Sequence, residues 1–335
     1  MAAEMIPPAH APEFLAAHGW EGCEIRPLAG DASFRRYFRV HRPSGETAVL
    51  MDAPPAHEDS SPFVRVAEWL VGAGLSAPAI LAHDLGRGLL LIDDLGDARL
   101  RETLDAAPAR EEELYALATD LLVHLHARPP MPGLSPHGLD QWLGELTLLP
   151  QWYAPAVGLA VDEPAYAAAW REVLAPVAAD GLAPVTVLRD YHAENIMLIG
   201  GRSGIRHFGL LDFQDAVAGH PAYDLVSVLE DARRDVSPEV ERAMIDRYMD
   251  ATGQGAAFEA AYWSLAAQRN TRIIGVFARL WRRDGKPHYM GYQPRMWGLL
   301  ERDLRHPALA PVRAWFDAAI PAERRAAAWA DGAPA

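Results

Sequence analysis

Three side chains near the middle of the sequence have the types and spacing that phosphoryl transfer requires. Asp190 follows a short apolar run, Asn195 comes five positions later, and Asp212 ends a second apolar run. One carboxylate can orient an attacking hydroxyl group and accept its proton. An amide oxygen and a second carboxylate can hold the magnesium ion that neutralises nucleotide phosphates. We therefore interpret Asp190 as the catalytic base and Asn195 and Asp212 as metal ligands.

The segments around these residues predict a loop followed by a hairpin. Residues 185–188 are typical of a buried strand that leads into the loop. Residues 196–199 and 208–211 are apolar runs separated by glycines, which predicts a hairpin that ends at Asp212. An isolated Asp and Asn at this spacing occur by chance in many chains, so the interpretation depends on this context.

Residues 1–95 predict a small, β-rich, nucleotide-binding lobe. Strand candidates lie at residues 24–28, 35–40, 47–51, 79–84 and 89–92, and residues 63–70 have the spacing of an amphipathic helix. The loop between the first two strands carries Gly30, Asp31, Ser33 and Phe34. Its backbone N–H groups could cover nucleotide phosphates, and an ordinary hairpin with a Gly-Asp turn is the alternative.

Residues 96–335 predict a larger, mainly helical lobe that carries the catalytic loop and the substrate site. Helical spacing covers residues 111–127, 139–153, 166–174, 225–234, 239–248 and 257–281, and residues 286–295 are interpreted as an aromatic, cationic loop. We expect Pro176 to end the third of these helices. His124 and His126 do not share a helix face, so we interpret both as structural. The predicted fold class is therefore α+β.

The composition of the 335 residues is that of a globular protein, with 50% hydrophobic and 23% charged residues. A net charge of −14 argues against nucleic acid or an anionic membrane as a partner. The single cysteine, Cys23, excludes an intramolecular disulfide. No signal peptide is recognisable in residues 1–12, and no run approaches the roughly 18 apolar residues of a membrane span. We expect a cytoplasmic monomer.

The catalytic segment resembles the aminoglycoside phosphotransferase family, which comprises small-molecule kinases with the protein-kinase fold. The likeness rests on residues 188–195, on residues 210–213, and on residues 219–227, which are similar to that family's Gly-Asp-Pro-x-x-Asp-Leu-Ala segment. It extends from about residue 28 to about residue 297. The resemblance implies a bilobal protein-kinase-like fold, ATP and Mg²⁺ as cofactors, and an Asp224 that caps or anchors the catalytic loop.

The resemblance also identifies the expected nucleotide site and one departure from it. Ile92, Asp93 and Leu95 would belong to the hinge whose backbone pairs with adenine. Met51 occupies the third-strand position where kinase folds place a phosphate-binding lysine, and the chain's only lysine is Lys286. Arg35 and Arg36 are the nearest cations that could replace it, because arginine grips phosphate through two donors. A solvated role for both arginines is the alternative.

Residues 30–39, 49–55, 189–192 and 211–216 resemble one branch of the family, the anomeric N-acetylmuramate/N-acetylglucosamine kinases of bacterial cell-wall recycling. Met51 belongs to that resemblance, whereas Leu188 departs from it, because a histidine usually precedes the Arg-Asp pair. The branch implies transfer of the γ-phosphoryl group of ATP to the anomeric hydroxyl of an amino sugar. A sugar-1-phosphate uridylyltransferase would then use the product.

An N-acetylmuramate site should hold an arginine, because this sugar carries a carboxylate. The candidate substrate residues are Arg189, Glu145, Asp215, Arg269, Arg272 and Arg295. For each arginine the alternative is a surface or structural ion pair. Tyr289, Tyr292 and Trp152 could face sugar rings, although aromatic side chains of a helical lobe more often belong to the core.

Two other functions stay open. A kinase of the same fold could act on another sugar, an aminoglycoside or an amino alcohol, and a cationic drug would require an acidic pocket. The missing lysine also allows a non-catalytic binding protein of kinase fold. The joint presence of a base and two metal ligands argues against that reading.

Overall fold

The computed structural model describes residues 6–30 and 34–326. In chain order the strands are β1 (Glu24–Gly30), β2 (Arg36–His41), β3 (Thr47–Asp52), β4 (Ile80–Asp84), β5 (Leu89–Asp93), β6 (Pro136–His137), β7 (Val185–Val187), β8 (Ile196–Leu198), β9 (Phe208–Leu210) and β10 (Val217–Gly219).

In chain order the helices are α1 (Ala11–Ala17), α2 (Ser61–Gly72), α3 (Leu100–Ala106), α4 (Glu111–His126), α5 (Leu139–Leu146), α6 (Ala154–Ala156), α7 (Glu163–Ala178), α8 (Ala222–Leu229), α9 (Pro238–Thr252), α10 (Ala256–Arg282), α11 (Gln293–Asp303) and α12 (Ala310–Ala319). A π-helical segment, Leu149–Tyr153, precedes α6, and a 3₁₀ segment, Pro287–Tyr292, precedes α11.

The chain forms two compact units, of which the first comprises residues 1–108 and 194–216. Its antiparallel sheet has the strand order β1-β2-β3-β5-β4. Residues 48–51 of the central strand β3 form a continuous apolar run rather than an alternating one, and Leu50 and Met51 are fully buried. Helix α2 buries the apolar stripe that includes Phe63, and the hairpin β8-β9 completes the unit.

The second unit comprises residues 109–193 and 217–335 and is mainly helical. Its 27-residue helix α10 is buried along most of its length, which explains the run of apolar and small residues there. At Gly275 a Cβ atom would lie 2.6 Å from the backbone of Leu148, so only glycine allows this close approach. A small sheet of order β6-β10-β7 lies beside the catalytic loop in this unit, since the loop follows β7 directly.

The strands predicted in residues 24–92 and the hairpin after the catalytic loop are confirmed, with ends that differ by up to two residues. The prediction that Pro176 ends a helix is wrong. Helix α7 continues to Ala178, because a proline near the end removes a single backbone hydrogen bond while Leu174 and Val177 stay buried on the same face. Residues 286–295, predicted as a loop, are mostly helical instead.

The predicted division into lobes at residues 95 and 96 remains a prediction. The first compact unit holds the N-terminal sheet and also residues 96–108 and 194–216. Within residues 6–30 and 34–326, no helix is both long and apolar enough for a membrane span.

Candidate active site

A cavity of about 450 Å³ opens in the first unit. Its walls come from the sheet, from α2 and from the segment 194–214, all within that unit. The residues after β5 line it, including the predicted hinge residues Ile92, Asp93 and Leu95. Apolar side chains such as Val49 and Met197 contribute part of the wall, which suits a flat, partly apolar ring such as adenine.

The two predicted metal ligands lie together on the wall of this cavity. The side-chain amide of Asn195 donates to Asp212 Oδ2 at 3.4 Å, and the amide of Gln214 donates to Asp212 Oδ1 at 2.8 Å. Asp212 has a φ of +57°, a left-handed conformation that is uncommon outside glycine and that often occurs at functional sites. Phe213 stacks on Phe63 of α2 at 5.0 Å and so fixes the backbone after Asp212.

The donor set at this point of the cavity fits Mg²⁺. Asp212 offers two carboxylate oxygens and Asn195 an amide oxygen, which are hard ligands of the kind that Mg²⁺ prefers. Within the described residues no group of three or more His, Cys, Asp or Glu side chains could hold a metal ion. Two protein ligands are nevertheless the usual number for Mg²⁺ that is held jointly with substrate phosphates.

The residues predicted to bind the nucleotide phosphates have different surroundings in the structure. Gly30 ends β1 and pairs with Arg36, while Asp31 and Ser33 lie outside the described residues. Phe34 is exposed and stacks on His57 at 4.5 Å. Arg35 is buried, lines the cavity and forms an ion pair with Glu58. Arg36 forms an ion pair with Asp52 on the neighbouring strand.

The acidic side chains of the cavity wall have their own arginine partners. Arg39 pairs with Asp94 and Asp97, and Arg101 pairs with Glu194. Burial raises the pKa of Asp94, but hydrogen bonds from Arg39 and Thr47 outweigh it, so this pKa is lowered overall. The arginines beside these acidic side chains offset their negative charge. Sequence reasoning missed Arg99, a further cation on the wall.

The catalytic loop in the second unit is fixed around a strained residue. Arg189 has a φ of +69°, a conformation that costs a non-glycine residue about 1–2 kcal/mol. Asp224 accepts hydrogen bonds from the backbone N–H groups of Leu188, at 2.6 Å, and Arg189, at 2.9 Å. The hydroxyl of Ser227 donates to the carbonyl oxygen of Arg189 at 3.0 Å. The geometry fits an anchoring role for Asp224, and burial raises its pKa to about 7.

Asp190, the predicted base, is half-buried and follows this strained residue directly. The backbone carbonyl of Asp190 accepts from the N–H of His192 at 3.1 Å, which closes a tight turn around the carboxylate. Burial and the charge of Arg233 lower the pKa of His192 to about 3, although Asp190 acts in the opposite direction. The imidazole beside Asp190 is therefore neutral at pH 7.

Glu145 is the centre of a polar cluster in the second unit. Its Oε1 accepts from His137 Nε2 at 3.3 Å and from the Arg189 guanidinium at 3.2 Å, and lies 3.5 Å from Arg272 Nε. Its Oε2 accepts from the side-chain amide of Gln268 at 3.1 Å. Burial opposes ionisation, but the hydrogen bond from His137 and the charge of Arg272 lower the pKa of Glu145 to about 2.

A buried tryptophan determines which nitrogen of His137 donates to Glu145. Trp142 donates its indole N–H to His137 Nδ1 at 3.2 Å. Because an indole nitrogen can only donate, Nδ1 must be the acceptor and the ring proton must reside on Nε2. Nε2 is thus the nitrogen of His137 that donates to Glu145. His137 and Gln268 were not identified from the sequence, since no local motif links them to the catalytic loop.

The remaining predicted substrate residues have other surroundings. Arg269 is buried and donates to Ser227 Oγ at 2.9 Å and to the carbonyl of Glu230 at 3.3 Å. Arg295 pairs with Asp235 at 2.6 Å, and Asp215 is exposed.

The aromatic and histidine candidates also have identified neighbours. Tyr289 and Tyr292 pack on Phe277, and Trp152 is half-buried. His126 bonds the hydroxyl of Tyr248 at 2.9 Å, and burial lowers the pKa of His126 to about 3, as expected of a structural histidine.

The sequence profile of the phosphotransferase enzyme family matches residues 24–262, which include the strained catalytic loop, Asp212 and the anchoring Asp224. The chain belongs to that family. The predicted α+β class and protein-kinase-like fold are confirmed by solved structures. One is a choline/ethanolamine kinase family protein from Mesorhizobium loti, with a TM-score of 0.62 at 16% identity over 91% of this chain and 96% of that one.

Two curated relatives are similar over nearly their whole length. The chain is 39% identical to a protein of Caulobacter vibrioides named N-acetylmuramate/N-acetylglucosamine kinase, over 93% of this chain and 96% of that protein. It is 36% identical to a protein of Pseudomonas aeruginosa with the same name, over 90% of this chain and 91% of that protein. The predicted resemblance to this branch of the family is therefore confirmed.

Proposed function

We propose that the protein is an ATP-dependent kinase that phosphorylates the anomeric hydroxyl of N-acetylmuramate and N-acetylglucosamine. The observation that carries the proposal is 39% identity, over nearly the full length of both chains, to a protein that bears the name of this kinase. The names of these relatives do not specify the hydroxyl group, so the anomeric position rests on the resemblance of residues 30–39, 49–55, 189–192 and 211–216 to the anomeric kinases.

The catalytic step is assigned to Asp190. We infer that its carboxylate orients the sugar hydroxyl and accepts the proton as the oxygen–phosphorus bond forms, while the bond from the γ-phosphorus to the leaving oxygen of ADP breaks. An anomeric hydroxyl is more acidic than an ordinary alcohol, so the position of the base matters more than its strength. The bonds from Asp224 and Ser227 to the backbone beside Asp190 support this assignment, because they fix that position.

Asn195 and Asp212 are assigned to Mg²⁺. Bound there, the ion would neutralise charge on the phosphate oxygens of the nucleotide. Gln214 donates to Asp212 Oδ1 and so orients the carboxylate. The left-handed backbone at Asp212 supports the assignment, since strain of this kind is retained where the surrounding structure requires one particular orientation.

The nucleotide is assigned to the cavity of the first unit. Ile92, Asp93 and Leu95 would present backbone groups to the adenine edge, and Gly30, Asp31, Ser33 and Phe34 belong to the proposed phosphate loop. Met51 is buried within β3, so the third strand supplies no cation at the usual position. Arg35 is our candidate for the missing lysine, because this residue lines the cavity.

The setting of the reaction follows from the same resemblance. We infer a cytoplasmic enzyme that acts as a monomer and whose sugar 1-phosphate is consumed by a uridylyltransferase.

The alternative functions are tested by the range of acceptors. Other sugars and amino alcohols should be included as competing acceptors. A protein that binds nucleotide but transfers phosphate to none of them would fit the non-catalytic alternative.

The experiment is a coupled ADP-release assay with ATP, Mg²⁺ and each sugar in turn. Both N-acetylmuramate and N-acetylglucosamine are expected to be substrates, and removal of Mg²⁺ with a chelator should abolish turnover. N-acetylglucosamine with its anomeric hydroxyl blocked as a methyl glycoside is the matched control and should be inert. Turnover of the glycoside at the rate of the free sugar would contradict the anomeric assignment.

A further inference from the structure

The four arginines that the sequence offers for an anionic substrate differ in how firmly they are held. Arg269 is 4% exposed and donates to Ser227 and to a backbone carbonyl. Arg295 donates through two nitrogens to Asp235 and through a third to the carbonyl of Ala232. These bonds join separate elements of the helical unit, so we assign both side chains a structural role.

Arg189 is held at three points. Its backbone N–H is bound by Asp224, its carbonyl by Ser227, and its guanidinium by Glu145. Arg189 directly precedes Asp190, so the two bonds to its backbone also fix the proposed base. A substrate group that took the Arg189 side chain from Glu145 would remove one of the three contacts that hold this residue.

Arg272 is bound less firmly to Glu145 than Arg189 is. The two side chains are similarly exposed, at 24% and 25%, but Arg272 Nε lies 3.5 Å from Glu145, whereas Arg189 forms a hydrogen bond with it. The Arg272 distance exceeds the roughly 2.7–2.9 Å of a charge-assisted hydrogen bond. Glu145 Oε1 also accepts hydrogen bonds from His137 and Arg189. Tyr223 also contacts Arg272. A carboxylate that offered Arg272 two well-directed oxygens would bind it better than Glu145 does.

Arg272 also lies within electrostatic range of the proposed base. Burial lowers the pKa of Arg272, but Tyr223, Glu145 and Asp190 outweigh burial and raise it, so the guanidinium is a permanent cation near the Asp190 carboxylate. Arg189 and Arg272 both meet the single carboxylate of Glu145, so this part of the unit offers cations to an anionic substrate, whereas a polycation would require an excess of carboxylates.

We propose that Arg272 is the specificity-determining residue that recognises the carboxylate of N-acetylmuramate, exchanging Glu145 for that carboxylate. Glu145 keeps Arg272 paired when the neutral N-acetylglucosamine is bound, so the cation is never left without a counter-charge. His137, Arg189 and Gln268 continue to hold Glu145 during the exchange. This inference rests on the proposed function and adds the means by which one site accepts both a neutral and an anionic sugar.

The test compares kcat/KM for three acceptors: N-acetylmuramate, its methyl ester and N-acetylglucosamine. With the wild-type protein, esterification should lower kcat/KM about tenfold to a hundredfold, the range of a lost charge-assisted hydrogen bond at about 1.4 kcal/mol per tenfold. Arg272→Gln should lower the value for the acid by the same factor and that for N-acetylglucosamine by less than about threefold. For the methyl ester, kcat/KM of Arg272→Gln should equal that of the wild type.

Two further variants serve as controls. Arg272→Lys keeps the charge and should recover part of the preference for the acid. Arg247→Gln removes a charge from a surface ion pair with Asp120 in the same unit and should leave all three acceptors unchanged. If Arg272→Gln fails to fold, the lysine variant and the ester comparison on the wild type still decide the question.

The outcomes separate this inference from the proposed function. Equal values for acid and ester with the wild type, or equal losses for both sugars in Arg272→Gln, would overturn the role of Arg272 while the kinase assignment stands. Failure of the wild type to phosphorylate either sugar would overturn the proposed function and this inference with it.

Discussion

The cavity of the first unit and the Glu145 cluster of the second unit hold their charges in different ways. In the cavity wall, the carboxylates are divided between different arginines: Asp94 and Asp97 pair with Arg39 of β2, and Glu194 pairs with Arg101 of α3. In the cluster, the single carboxylate of Glu145 receives donors from the catalytic loop, from α10 and from the end of β6.

This difference has a consequence for how substitutions act. Removal of one carboxylate from the cavity wall should have a local effect, because it changes the pairing of one arginine and leaves the pairs of the other arginine in place. Removal of Glu145 would leave several buried or half-buried donors unsatisfied at once, which costs more than the loss of one bond. The predictions below test the contrast between a divided and a shared arrangement of charge.

The largest effect is expected for Asp190→Asn. An amide cannot accept the proton, so kcat should fall by about 10²- to 10⁴-fold, the usual contribution of a general base. Because Asp190 is half-buried on the loop surface, the free energy of unfolding should change little. Single-turnover kinetics with the amino sugar and thermal unfolding measure the two quantities. Wild-type turnover in this variant would exclude Asp190 as the base.

The shared carboxylate should make stability depend on pH through Glu145. Its pKa in the folded protein is about 2 against an ordinary value of 4.5, so ionised Glu145 stabilises the fold by up to about 3 kcal/mol above pH 4.5. This contribution is lost as the pH falls toward 2. The difference in unfolding free energy between wild type and Glu145→Gln should therefore shrink between pH 5 and pH 3. A constant difference across that range would contradict the shared-charge account.

A smaller effect is expected at the anchor of the catalytic loop. Asp224→Asn leaves one oxygen for the two backbone N–H groups that Asp224 now binds, so the unfolding free energy should fall by about 1–3 kcal/mol. Relaxation of the strained Arg189 should also lower kcat while KM for ATP stays unchanged. Chemical denaturation and steady-state kinetics measure both. A destabilised variant with wild-type kcat would show that the strain is irrelevant to catalysis.

The smallest effect is expected in the cavity of the first unit. Arg35→Gln should raise KM for ATP about tenfold, as the loss of one charged phosphate contact predicts, and should leave KM for the sugar unchanged. The double variant with Arg36→Gln tests whether the neighbouring arginine compensates. If KM for ATP is unmoved when both arginines are replaced, another group takes the place of the missing lysine.

The strands and the hairpin of the first unit could be predicted better than the polar cluster of the second unit, because the sequence signals of the first unit are local. Turn glycines and apolar runs marked the strands, and Asp212 could be recognised from the hairpin that ends there. The catalytic motif likewise spans only a few residues. Each of these features depends on residues that are close together in the sequence, and residue spacing reports such local relations.

The polar cluster of the second unit could not be assembled from spacing. Glu145, Arg189 and Arg272 are far apart in sequence and meet because α5, the catalytic loop and α10 pack together. Gln268 and His137 carry no motif at all, and only the hydrogen bond from Trp142 shows which nitrogen of His137 donates. The sequence named several members of this cluster as candidate substrate residues. Which of them is best placed to bind the substrate could be inferred only from the distances between them.

The most direct test of the central claim is phosphorus NMR of the reaction product formed from ATP, Mg²⁺ and N-acetylmuramate or N-acetylglucosamine. The account predicts a phosphate signal coupled to the anomeric proton for both sugars, with ADP formed in equal amount. A phosphate coupled to any other sugar proton, or ATP binding without transfer to either sugar, would contradict the assignment of this protein as an anomeric amino-sugar kinase.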